Sequence, residues 1–170
     1  MKPDTDRFPL GSMPVMTDDE GNVYCQSIAI ARMVAIKHGY YSTCPMEAYL
    51  IDSLVDGSVD VVQPHMGDCL GGIPDEDKAV QRICGLMKVV EDRMNMHGKK
   101  FSSGDKLTMA DFWCTQIHIN HIENENFAHK DKISARVQEE TEKFPKFKQL
   151  VADVKAELAD YLASRPVRPL

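Results

Sequence analysis

The spacing of apolar residues changes early in the chain. The apolar run Met13-Pro14-Val15-Met16 is followed by the acidic turn residues Asp18-Asp19-Glu20-Gly21-Asn22 and then by Val23-Tyr24-Cys25. This pattern predicts a β-hairpin with Gly21 and Asn22 in its loop. From Gln26 onward the period is helical: residues 28–36 are apolar apart from Arg32, Lys37 follows, and Gly39 supplies a stop. A helix apolar nearly all round is expected to be buried on two sides.

Pro45 opens a second helical pattern with Glu47 in its first turn, and Pro64 is expected to bend or end it. Gly57 inside that helix costs about 1 kcal/mol relative to alanine. Residues 67–74 read as a loop, and residues 75–97 as a long helix with acids at its start and Gly98 after its end. Two long helices joined in this way pack antiparallel. The clearest local signal is Leu107-Thr108-Met109-Ala110-Asp111-Phe112. Thr108 caps a helix there, Asp111 reaches back to the cap's amide, and Leu107 and Phe112 stand where a hydrophobic staple closes. Shorter helices follow, punctuated by Pro145 and ended by Pro166.

Composition narrows the class. With 170 residues, 43% hydrophobic and 27% charged, the chain suits one good core or two small domains sharing an interface. No run reaches the roughly 18 apolar residues of a membrane helix, and residues 1–10 lack a secretory pattern, so an intracellular, cytoplasmic address without membrane insertion is expected. The net charge of −6 and the scattered cations argue against nucleic acid. Cys25, Cys44, Cys69, Cys84 and Cys114 are odd in number and widely spaced, and read as reduced thiols. His65 with Cys69 and His118 with His121 offer two ligands each where a structural zinc needs four, so no metal is expected. Met87 and Met94 read as core fillers.

The proline-entered strand, the helix Gln26-Ser27-Ile28-Ala29-Ile30-Ala31-Arg32 and the capped helix at Thr108 occur in the order found in cytosolic glutathione S-transferases. The chain resembles that family, and its sigma class in particular, from about Phe8 to its C-terminus. The resemblance implies a mainly α fold: a remnant of a thioredoxin-like domain, hairpin plus helix, over residues 1–39, then an all-helical domain over 40–170. It also implies a glutathione site. Met13 offers its backbone to the cysteinyl part, Pro14 is cis, and Gln26 and Ser27 hold the γ-glutamyl carboxylate. The residues alone also allow Ser27 to be a plain helix cap.

Asp52, Asp56 and Asp60 form one stripe along the second helix. The resemblance has Asp60 reach a partner subunit's glutathione across a dimer interface, while a solvated helix face is the alternative. Upstream of the proline strand, where the family has a first strand, helix and second strand, stand only residues 1–10. The side chain that lowers the glutathione thiol pKa sits there in relatives, so no catalytic residue is expected in this chain. Tyr24, Tyr40 and Tyr41 are not expected to substitute. These readings imply a glutathione-transferase-like subunit that is catalytically inactive, structural or interactive, with weak glutathione binding. A partner protein covering the sheet edge, or a transferase-like dimer, is expected. An active transferase or isomerase completed from elsewhere, and a weak glutathione-binding module, are the alternatives.

Overall fold

Alternation of side chains over two short runs makes the hairpin. A computed structural model, describing residues 7–71 and 75–166 except the side chains of 68–71, places β1 at Val15–Thr17 and β2 at Val23–Cys25. They pair antiparallel, Val15 with Cys25, Met16 with Tyr24 and Thr17 with Val23. Asp18 organises the connection: its carboxylate accepts from the Glu20 and Asn22 amides at 3.0 and 2.9 Å, from the Asn22 side chain at 2.9 Å and from the Tyr24 hydroxyl at 2.9 Å. The Asn22 side chain is the main cause holding this carboxyl at about 2. Gly21 sits in the turn at φ 86°, a conformation natural to glycine.

Behind the hairpin the chain is helical: α1 (Ser27–His38), α2 (Pro45–Gly71), α3 (Glu76–His97), α4 (Met109–Ile117), α5 (Ala135–Thr141), α6 (Pro145–Glu157) and α7 (Ala159–Ser164). Wide π-helical turns occupy His118–Ile122 and Lys130–Ser134. The architecture is mainly α with a two-stranded hairpin, as the pattern implied.

The caps act where the sequence placed them. Asp75 accepts the Lys78 amide at 3.0 Å to start α3, and Gly98, in the left-handed region, ends it. Pro145 is in the first turn of α6, and the buried carboxylate of Glu91 on α3 takes the Phe147 amide there at 2.9 Å. The core joins Ile51, Leu54 and Val55 of α2 with Met87 and Val90 of α3, Ala110 of α4 and Leu150 of α6. α4 lies at its centre, packed on α1, α2, α3 and α6. Met87 and Met94 are buried, as gap fillers should be.

Three expectations are corrected. α2 runs through Pro64 to Gly71 instead of ending there. The carbonyl that loses its bond belongs to Asp60, which is exposed like Pro64, so water can satisfy it. The loop read from 67 onward is therefore helical as far as Gly71, and residues 72–74 lie outside the described residues. The third correction is α1, which buries only Ala35 and leaves Met33, Val34 and Ile36 exposed. Among the described residues no helix is long and apolar enough to cross a membrane.

Candidate functional site

The hairpin's open end carries the predicted site residues. The Met13–Pro14 peptide is cis, and Met13 is 79% exposed. Pro14 immediately precedes β1 and Gln26 immediately follows β2, at the entry to α1, both just beyond the Val15–Cys25 pair. Gln26 has φ 71° and ψ 109°, a left-handed backbone that is rare for a side chain of this size and costs about 1–3 kcal/mol. Its side chain makes no cap bond to the helix. Ser27 follows as the first helical residue and is exposed, so it is not the helix's N-cap.

The strained Gln26 and exposed Ser27 stand at the start of a 12-residue helix. Free amides and partial positive charge at such an end suit a carboxylate. Met13 and Pro14 before β1 and Gln26 after β2 lie at the same end of the hairpin. Asp60 is exposed on α2, and no described bond joins it to them.

Two of the acids on the α2 stripe face solvent, whereas Asp52 is partly buried and paired. It accepts Arg32 Nε of α1 at 3.0 Å and the Tyr41 hydroxyl at 2.7 Å, tying α1 and the linker to α2. This junction was missed because each residue alone reads as a surface polar group. The sequence signal for it is one cation, Arg32, on an apolar helix and one acid, Asp52, on the next.

Tyr24, before the entry to α1, and Tyr40 and Tyr41, beyond its other end, are each bonded to a carboxylate. Tyr24 donates to Asp18, and that bond raises its pKa. Tyr40 donates to Glu157 at 2.6 Å, which likewise raises its pKa. Burial, then Asp52, raises that of Tyr41. Burial pushes the Cys114 thiol up to about 12 and also raises that of Cys84. Among the described residues no cluster of three metal-ligating side chains occurs. His118 and His121 share the first π-turn, while His65 meets His121; the side chain of Cys69 lies outside the described residues. A separate groove of about 230 Å³ runs between α4 and α7, with Phe112, Trp113, Tyr161 and Arg165 in its walls.

A cis-proline hairpin feeding a helix with a strained Gln-Ser entry, joined to this helical bundle, defines a glutathione-transferase-type protein. Residues 74–165 match the family model described as glutathione S-transferase, C-terminal domain. The chain belongs to the glutathione S-transferase family. It is 28% identical over 125 residues to S-crystallin 3 of Enteroctopus dofleini, covering 64% of this chain and 58% of that protein's length. It is 25% identical over 171 residues to the class-mu 28 kDa glutathione S-transferase isozyme of Schistosoma mansoni, covering 95% of this chain and 77% of that one. The fold is that of the Ascaris lumbricoides glutathione S-transferase, with TM-score 0.73 at 22% identity over 95% of this chain and 78% of the other. Prostaglandin synthase D of Nilaparvata lugens shares it at TM-score 0.70 and 20% identity, over 94% and 77% of the two chains.

Proposed function

We propose that this chain is a non-catalytic glutathione-transferase-fold subunit that recognises the γ-glutamyl end of glutathione weakly and serves in structure or interaction. One observation supports the reading: Tyr24, on the strand that leads into the Gln26-Ser27 turn, donates its proton to Asp18 at 2.9 Å, while Tyr40 and Tyr41, beyond the far end of α1, donate theirs to Glu157 and Asp52 at 2.6 and 2.7 Å. A thiolate stabiliser must donate to sulfur, and a phenol already held by an anion does so poorly. Met13, Pro14, Gln26 and Ser27 form the glutathione-facing part of this proposal, with Asp60 acting across a dimer. Residues 1–39 and 40–170 act as its two domains.

A partner belongs to the same reading. In the described sheet β1 pairs only with β2, and the other edge of Val15–Thr17 is a template for a further strand. Leu10 and Met13 beside it are exposed and apolar. A partner protein, or a second copy in a transferase-like dimer, covers that edge.

The strain at Gln26 favours a second reading, in which a group from elsewhere completes an active transferase or isomerase. Strain of this kind persists where binding uses it. Conjugation of glutathione to a standard aryl halide separates the two. The expected rate equals the uncatalysed one; reproducible turnover abolished by Ser27→Ala selects the second reading.

A further inference from the structure

The hairpin and α1 share little of the core. From Val15 to His38 the one buried side chain is Ala35, and the residues of both strands are half-buried at best. Ile28 and Ala31 rest half-buried against the core on the same side of the helix as Ala35, so α1 meets the bundle, chiefly at α4, along one narrow stripe. By contrast α3 buries eight residues over its 22. Burial of an apolar face is what holds a helix in a protein, and α1 has little of it.

Polar contacts tie this unit to the bundle at two places. Midway along α1, Arg32 Nε donates to Asp52 Oδ1 of α2 at 3.0 Å, and about a third of each side chain is exposed, 31% and 33%. Beyond Gly39 the chain is fastened to three helices. The Met109 amide of α4 donates to the Tyr40 carbonyl at 2.8 Å, the Tyr40 hydroxyl donates to Glu157 of α6, and the Tyr41 hydroxyl donates to Asp52 Oδ2 of α2. The Tyr40 ring also stands edge-on to Phe112. Residues 40 and 41 therefore belong to the bundle, and the loosely held part ends at Gly39, the φ 80° residue that closes α1.

We propose that the hairpin and α1 open from the helical bundle as one piece about Gly39, with the Arg32–Asp52 ion pair as the latch. The bonds inside the piece survive the opening, because the β1–β2 ladder and the turns of α1 are local to it. What breaks is one partly exposed ion pair and one narrow apolar stripe. Segments with so few buried contacts open as contiguous units below the global transition, and a hinge is an element-terminal residue that takes up the backbone change. Asp52 serves both states: Oδ2 keeps Tyr41 on the bundle while Oδ1 releases Arg32. The Gln26-Ser27 turn travels with the piece, and the side of α4 beneath α1 is bared.

The test is native-state amide exchange of the full chain across low urea concentrations, corrected for intrinsic rates. Amides of α1 from Ala31 to His38 are expected to exchange at least about tenfold faster than the core amides of α3 and to share one urea slope, smaller than that of α3 because less surface is exposed. Protection and slope equal to those of α3 overturn the proposal, since unit and bundle then open together. Unrelated slopes along α1 overturn it too, since the helix then frays residue by residue. Arg32→Met keeps a long, helix-compatible side chain, removes the charge and leaves the Tyr41–Asp52 bond in place. It is expected to raise α1 exchange about threefold further with α3 unchanged. No rise in α1, or an equal rise in both helices, overturns the latch; the wild-type slopes decide the hinged opening independently of this variant.

Discussion

Asp111 shows how far a local motif reaches into the fold. The sequence marks it as the acid of a capping box, and its carboxylate does take the Thr108 amide at 2.7 Å and hydroxyl at 3.1 Å. The same carboxylate also takes the Ser102 amide at 2.9 Å and hydroxyl at 2.6 Å, fully buried. That second half was not legible, because Ser102 lies in a loop whose course the helical period does not set. Phe112 is similar: it sits at the staple position, but its described ring partner is Tyr40, at 5.2 Å. Thr108→Ala is expected to lower stability by about 0.5–2 kcal/mol. Asp111→Ala leaves several buried donors unpaired and is expected to cost more, about 3 kcal/mol or above. Denaturant midpoints of both variants give the order; an unchanged midpoint for Thr108→Ala contradicts the assigned helix start.

Among the elements, α3 was readable because one side of its period is apolar and its caps are explicit. α1 was not, since a helix without a polar face carries no record of which side is covered. α2 was half readable: proline rules describe the lost bond, but not whether solvent can replace it. Its Gly57 sits mid-helix with open space where a Cβ would stand. Gly57→Ala is therefore expected to stabilise the chain by about 0.4–1 kcal/mol, read as a higher unfolding midpoint. The first π-turn brings a pH dependence. His118 and His121 have folded pKa values lowered from 6.5, chiefly by burial, so the unfolded chain binds protons more readily. Their contribution is full above about pH 6.5 and is lost as pH falls through the lowered values. Urea midpoints are expected to drop over that window, and a flat profile would show that both rings titrate normally.

At the scale of the molecule, the order of hairpin, helix and capped bundle identified the family, because each piece has its own sequence period and stop signal. The Gln-Ser turn was legible only through resemblance: no local rule foretells φ 71° at Gln26. The open edge of β1 has a kinetic consequence. Only alternate amides of a strand face its neighbour, so at Val15 and Met16 at least one amide is expected to exchange as fast as loop amides in the isolated chain. Strong protection of both would mean that the edge is covered within the monomer.

Recognition without turnover, centred on the Gln26-Ser27 turn, is tested most directly by titrating glutathione into the isotope-labelled chain and following its backbone amide resonances. Half-saturation is expected at or above about 1 mM, with shifts grouped on Met13, Val15, Gln26 and Ser27 and abolished by Ser27→Ala. Micromolar binding, or shifts confined to the Trp113–Arg165 groove with Gln26 and Ser27 unmoved, would contradict it.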